Sequence, residues 1–344
     1  MVMVSVLMPV FNVQEYLVES IDSIINQTYT DFEFYIINDG SSDRSEEIIL
    51  RYTDPRIKYI KNESNQGYIK CLNQAIELVD SKYIIRMDSD DIAMPTRIEK
   101  QVAYMEDNPG VVVCGSSRIN FYPEANRKEV LMHAITDKKE LFVNSIFNTS
   151  LHHPSVIIRT EILKKYNIRY KEKYYFAEDK ALWLDLSEYG ELANIGEALL
   201  RYRIHYNQVS YLYKHRQKSN SVDRTFDFLT KQGIKLDESD LPCLMILCYE
   251  RKCDSNNEIA VLERLIFRLM HEAKILNFEH YPEFCRNLQF RFKSSILKSS
   301  RIGAKIFKQI SKSKLISFKD LDLLYYLKVG VRTFGKFEIN NQPK

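Results

Sequence analysis

The chain has 344 residues, 45% of them hydrophobic and 28% charged, with 22 Tyr, 18 Phe and only 10 Gly. This excludes collagen-like and low-complexity classes and fits a globular protein with one large domain plus a smaller one. The net charge of +3 hides an asymmetry: from Arg286 onward there are 14 Lys/Arg against 3 Asp/Glu, a net of +11, which leaves −8 for residues 1–285. A basic end of this kind points to an anionic partner, a membrane surface or nucleic acid.

The six Cys form no CxxC pair and read as reduced thiols of a cytosolic protein. No basic region precedes the first apolar run, so no signal peptide is expected. No window of about 18 apolar residues exists, so no membrane-spanning helix is expected either.

Taken in chain order, "VSVLMPV" (4–10) is a compact apolar run of the kind a buried parallel strand needs. Asn12 is expected to cap a helix carrying Tyr16, Leu17, Ile21, Ile24 and Ile25 at helical spacing. "FEFYIIND" (32–39) is a second strand, followed by a helix that "GSSD" opens and that runs to Tyr52. "RIKYI" (56–60) is a third strand, 67–79 an amphipathic helix, and "YIIRM" (83–87) a fourth strand. A helix over 95–108 and a fifth strand, "GVVVCGS" (110–116), follow. Strands alternating with helices predict βαβ units on a mostly parallel, doubly wound sheet. Residues 117–215 are mixed, with a strand leading into a helix at 155–163 and a helix at 176–190. From about 221 the pattern is helical.

In open sheets of this kind, ligands sit beyond the carboxyl ends of the strands. The polar residues that follow the apolar runs are Asn12, Asp39 and the cluster Asp88, Asp90 and Asp91. Three segments would thus deliver polar groups to one crevice. Three carboxylates in four positions repel one another, and a hard divalent cation, Mg²⁺ or Mn²⁺, offsets that repulsion while sharing its shell with substrate phosphates. Alone, a D-x-D is more often a solvated acidic turn; its place after a βαβ strand favours the metal–diphosphate clamp.

The sequence resembles the family 2 glycosyltransferases, inverting enzymes with a Rossmann-like GT-A fold. The matching blocks, in the family's order, are "VSVLMPVFNVQEYLVESIDSIINQTYTDFEFYIINDGSSD", "NQGYIKCLNQAIE", "IIRMDSDDIAMPTRIEKQV", "HHPSVIIR", "FAEDKALWLDLSEYG" and "LLRYRIHYNQVS". Within the family the chain is similar to bacterial lipooligosaccharide and capsule transferases, including the β-1,3-N-acetylglucosaminyltransferase type. The processive branch carries a QxxRW block; the only Trp here is Trp183, so transfer of a single sugar is implied.

By this resemblance Pro9, Val10, Phe11 and Asn12 line the nucleotide pocket, Phe11 lies beside the uracil, and Asp39 accepts its N3–H. Asn65, Gly67, Asp88 and Ser89 complete the nucleotide-sugar site. Asp90, with Asp88 and His205, would hold the Mn²⁺ or Mg²⁺. Asp179 would be the general base, and Asp91, His153, Glu178 and Trp183 would belong to the sugar and acceptor side. Each has a plainer reading as well: Phe11 and Trp183 as core residues, Asp39 as a turn residue, Glu178 and Asp179 as helix N-terminal charge, His205 as a structural histidine.

The implied partners are a UDP-sugar donor and a glycan or lipid-linked glycan acceptor. The implied domains are a transferase domain over 1–220, with its nucleotide half at about 1–118 and its acceptor half at about 119–220, and a helical basic region over 221–344. In that region Leu288, Phe292 and Ile296, then Ile302, Ile306 and Ile310, recur at roughly helical spacing among Lys and Arg. This stripe reads equally as a surface for the anionic inner face of a plasma membrane or as the packing face of a helical domain. Nucleic-acid binding is not expected, since no nucleic-acid motif accompanies the charge. A nucleotidyltransferase remains an alternative, weakened by the lack of a Gly-rich basic loop after the first strand, as does a non-catalytic membrane-associated scaffold.

Overall fold

The structure, a computed structural model, describes residues 2–123, 127–205, 208, 213–299, 313 and 315. It divides into two compact units, Met1–Ser221 and Val222–Lys344.

The first unit is built on β1 (Val4–Val10), β2 (Phe32–Asn38), β3 (Ile57–Lys61) and β4 (Tyr83–Arg86), which lie parallel in the order β3-β2-β1-β4. The central strands β1 and β4 are buried almost throughout because helices cover both faces of the sheet, whereas β2 keeps a half-buried Glu33 and the edge strand β3 exposes Lys58 and Lys61. Side chains alternate between the faces. Val4, Val6, Met8 and Val10, with Phe34, Ile36 and Ile85, pack on one side against Leu17, Ile21 and Ile24 of α1 (Leu17–Ile25). Ile98, Val102 and Met105 of α4 (Arg97–Asp107) join that core. Leu7, Ile37 and Ile84 point the other way, toward Ile69, Leu72, Ala75 and Ile76 of α3 (Tyr68–Leu78). The short helix α2 (Ser45–Ile49) follows β2 and ends before Tyr52.

The sheet then becomes mixed. β8 (Ile157–Arg159) pairs antiparallel with β4 and with β6 (Val111–Phe121), and β9 (Glu191–Arg203) runs parallel to β6. The two-residue β5 (Ile92–Ala93) pairs antiparallel with the far end of β9, and β7 (Val130–Met132) pairs with β6. α5 (Lys138–Phe147), α6 (Thr160–Lys165) and α7 (Glu178–Leu186) accompany these strands. The expected βαβ series is present over the first 120 residues. β9, thirteen residues long with bulges opposite Ser116 and Ser117, had no counterpart in the sequence reading, because no continuous apolar run or strict alternation marks it.

Asn12 does not cap α1. It sits at φ 48°, a left-handed conformation that Asn tolerates, and the helix starts at Leu17 after Tyr16. Its side-chain oxygen instead accepts from the Ser42 N–H at 2.8 Å, while its own N–H donates to Ser41 Oγ at 3.1 Å. It clips together the loops that follow β1 and β2.

The second unit is helical: the end of α8 (Lys214–Lys231), then α9 (Leu241–Tyr249), α10 (Asn256–Ile275) and α11 (Tyr281–Lys298). Leu288, Phe292 and Ile296 are buried, as are Leu262, Ile266 and Leu269 of α10. This half of the apolar stripe is therefore turned into a helical core; Ile302, Ile306 and Ile310 lie outside the described residues. Among the described residues no helix is long and apolar enough to cross a membrane.

Candidate active site

The carboxyl ends of β1, β2 and β4, the turn before α7 and the end of β9 open into one cleft of about 1750 Å³. Pro9, Val10, Phe11, Asn12, Asp39, Asn65, Gly67, Asp88, Ser89, Asp90, His153, Glu178, Asp179 and His205 all line it. Residues up to 196 positions apart, Pro9 and His205, thus meet where the strand ends dictate.

At one end Phe11 is 46% exposed, far more than a core aromatic would be. Beside it Asp39 is buried. Its Oδ1 accepts from Asn62 Nδ2 at 2.8 Å and from the Gln66 N–H at 2.9 Å, and its Oδ2 accepts from the Gly67 N–H at 2.9 Å. Burial alone would raise its pKa, but these bonds and a contact with Cys71 together hold it below the ordinary carboxylate value. A carboxylate has about four acceptor positions, and three of them take these N–H bonds. Gly67 is needed at φ 90°, where a Cβ would also stand 3.1 Å from the Tyr175 hydroxyl.

In the middle lies the acid cluster. Ligand oxygens of Asp88, Asp90 and Asp91 fall within 4.8 Å of one another. Arg86, buried at the end of β4, donates from Nη2 to Asp88 Oδ1 at 2.6 Å. His205 Nε2 is 3.0 Å from Asp90 Oδ2. The side chains of Asp88 and Asp90 remain 32% and 23% exposed to the cleft. Burial, opposed by Arg86 and reinforced by Asp90, raises the pKa of Asp88; burial with Asp90 and Asp88 raises that of Asp91 well above the usual range.

Asp91 is not on the cleft, against expectation. It is fully buried, and its Oδ1 accepts from the Arg203 N–H at 2.8 Å, locking β9 over the cluster. Chain direction explains this: Asp88 and Asp90 face the opening, and the intervening turn leads Asp91 inward toward β5. Its Oδ2 and His205 Nδ1 are buried without a hydrogen-bond partner. Repelling carboxylates, an orphaned carboxylate oxygen and an imidazole at hydrogen-bond distance form a hard oxygen and nitrogen donor set that fits a divalent metal.

At the other end Glu178 and Asp179 open α7. Burial and then the charge of Asp179 push the Glu178 pKa up, with the nearby Tyr68 hydroxyl opposing the shift. Asp179 is also raised, by burial first, with the Lys180 N–H and charge working against it. The Lys180 N–H donates to Asp179 Oδ1 at 2.6 Å, and Lys180 Nζ is anchored on Ser221 O at 2.9 Å.

His153 is hydrogen-bonded to the Tyr170 hydroxyl at 2.9 Å. Burial, then Arg86, holds it well below its usual pKa, and burial, then Arg118, takes His152 down to about 3. Both imidazoles are therefore neutral near pH 7.

Trp183, expected at the acceptor side, is not in the cleft. It is fully buried with Leu182 and Leu186, its ring edge-on to His153 at 5.9 Å. One helical turn beyond Asp179 carries it beneath the sheet.

Sequence reasoning missed Asn62, Tyr68, Arg86, Arg118 and Tyr175. A usable signal existed for Arg86, since a charge inside the apolar run "YIIRM" needs a partner, and Asp88 supplies it.

Residues 5–167 match the family model described as Glycosyl transferase family 2. An uncharacterized glycosyltransferase of Haemophilus influenzae is 37% identical over 254 residues, which cover 68% of this chain and 76% of that one. The Escherichia coli protein WfgD, a UDP-Glc:alpha-D-GlcNAc-diphosphoundecaprenol beta-1,3-glucosyltransferase, is 26% identical over 229 residues, covering 66% and 85%. Among solved structures, S. aureus TarS 1-349 in complex with UDP-GlcNAc superposes with a TM-score of 0.55 at 16% identity, covering 87% and 83%. The mannosyltransferase PcManGT of Pyrobaculum calidifontis, in complex with GDP-Man and Mn²⁺, does so with 0.52 at 14% identity, covering 86% of each chain. At these identities the structural likeness shows the GT-A-type fold.

Proposed function

The chain belongs to glycosyl transferase family 2, and from that premise we propose that it moves one hexose or N-acetylhexosamine from a UDP-sugar to a glycan, with inversion and without processivity. The observation that carries this reading is the single cleft that gathers an exposed aromatic, a buried acceptor carboxylate, the acid cluster and a second pair of carboxylates.

Phe11 stacks on the uracil and Asp39 accepts its N3–H. Asn12, Asn65, Gly67 and Ser89 border the nucleotide, with Asp88 toward the ribose and diphosphate. Asp90, Asp88 and His205 would hold a Mn²⁺ or Mg²⁺, which would neutralise charge on the leaving diphosphate. Asp179 takes the proton from the acceptor hydroxyl while that oxygen bonds to the anomeric carbon. The bond from that carbon to the diphosphate breaks on the opposite face, and its electron pair leaves with UDP. An α-linked donor so gives a β product.

The raised pKa of Asp179 suits this task, because a base is most effective when its pKa approaches the working pH. WfgD, which acts on a diphosphoundecaprenol-linked sugar, supports a lipid-linked or capsule glycan as acceptor, at the inner face of a plasma membrane.

The test is turnover of a panel of UDP-sugars with Mn²⁺ present. Activity should stop with EDTA and return with Mn²⁺, and Asp179→Asn should still bind UDP while losing about 10²- to 10⁴-fold in rate. Turnover indifferent to EDTA and to Asp90→Ala would remove the metal; full activity in Asp179→Asn would remove the base.

A further inference from the structure

An aromatic wall runs out of the cleft from the base. Tyr68, whose hydroxyl acts on the Glu178 carboxyl, meets Tyr175 edge-on at 5.3 Å. Tyr175 meets Phe176 edge-on at 4.7 Å, and Phe176 lies flat on Tyr213 at 4.3 Å with 11° between the rings. All four line the cleft. Phe176 holds φ 73°, a left-handed conformation that is costly for a bulky residue and is found where the surrounding structure imposes it. It stands two residues before Glu178, so the turn that presents the carboxylates also presents this ring.

Tyr213 is 47% exposed although one face rests on Phe176. Arg216, one turn along α8, lines the same cleft, is exposed, and lies 5.7 Å from the Phe176 ring. It has no ion-pair partner among the described residues, whereas Arg44 and Arg51 on the same cleft are tied to Glu47. The nucleotide end has its own exposed aromatic, Phe11, on a different segment. The wall begins beside Gly67, against which the Tyr175 hydroxyl stands, and continues through Phe176, on the segment that presents Glu178 and Asp179, to Tyr213; an acceptor hydroxyl has to arrive at those carboxylates.

We propose that Tyr213 and Arg216 form the acceptor subsite, in which the open face of Tyr213 stacks a pyranose ring and Arg216 pairs with an anionic group on that sugar, a phosphate or a carboxylate. A flat aromatic face matches the C–H face of a sugar ring, and a guanidinium pairs with either oxyanion through charge-assisted hydrogen bonds. This deepens the sugar-transfer reading and rests on it.

Calorimetry on the full chain with UDP and Mn²⁺ tests the subsite, using methyl β-glucopyranoside, its 6-phosphate and methyl β-glucuronide as probes. The two anionic probes should bind roughly fivefold to tenfold tighter than the neutral one, and the stronger of the two identifies the oxyanion. Arg216→Gln should erase that preference while neutral-sugar binding persists. Tyr213→Leu should weaken all three probes, and Tyr213→Phe, which keeps the ring, should restore them. Equal binding of charged and neutral probes, no binding by any, or a preference unmoved in Arg216→Gln would overturn the subsite. The same titrations report UDP affinity separately: UDP bound without an anionic preference sinks the subsite alone, and no UDP binding sinks both readings.

Discussion

Asp39 and Asp179 illustrate how two aspartates in one cleft take on opposite tasks. Asp39 is surrounded by N–H donors that keep it ionised and fixed, as a residue must be if it reads a base by accepting a proton-bearing edge. Asp39→Asn places a donor opposite uracil N3–H, so UDP should bind about 10- to 100-fold more weakly, the cost of an unmatched buried polar group. The preference for UDP over CDP should shrink, since cytosine N3 accepts; competition titrations with both nucleotides would show it. Asp179 is instead pushed above the ordinary 3.8 by burial. Its ionised form is the one that can accept a proton, so turnover should be full above the raised pKa and be lost as pH falls through it. A pH–rate profile should therefore show an acid limb lying above that of an unperturbed aspartate; a flat profile down to pH 4 would contradict the assignment.

Loops and strand ends bring these residues within reach of one another. Gly40, directly after Asp39, has φ 71°, and a Cβ there would meet the Ser64 carbonyl carbon at 2.7 Å and the Asn65 N at 2.9 Å. The loop after β2 therefore lies backbone to backbone against the loop before α3. Gly40→Ala adds a left-handed non-glycine residue to an immovable clash, so a loss of about 1–3 kcal/mol or more is expected, read as a lower denaturation midpoint. UDP affinity should fall with it, because Asn65 and Gly67 shift. On the opposite rim, Asp91 joins elements through both its groups: its carboxylate takes the Arg203 N–H and its carbonyl takes the Ser20 hydroxyl of α1 at 2.7 Å. Asp91→Ala leaves that N–H buried and unpaired, at a cost of about 1–3 kcal/mol. Since β9 carries His205 to Asp90, the variant should also weaken metal-dependent UDP binding.

Across the molecule, the cleft belongs wholly to the unit Met1–Ser221, while Val222–Lys344 has a helical core of its own. A ligand that binds only the folded state adds about 2.7 kcal/mol at a hundredfold excess over its Kd. UDP with Mn²⁺ should accordingly raise the thermal transition of the first unit and leave that of the second in place, and EDTA should remove the metal-dependent part. A shift confined to the second transition would place nucleotide binding outside the cleft.

Local pattern was enough to read β1 through α4, because strands buried on two faces must be continuous apolar runs and helices must repeat every 3.6 residues. It was enough also for the acid cluster, whose mutual repulsion is visible as three letters in four. The distinction between Asp90 at the opening and Asp91 beneath it is absent from that string, as is the burial of Trp183 four places after a cleft carboxylate. So is the way β9 returns some 113 residues later to close over Asp90 and Asp91. Those outcomes depend on which strand neighbours which, and on side-chain direction at a turn. Both are properties of the packed sheet, settled by contacts between segments whose separation along the chain carries no periodic signal.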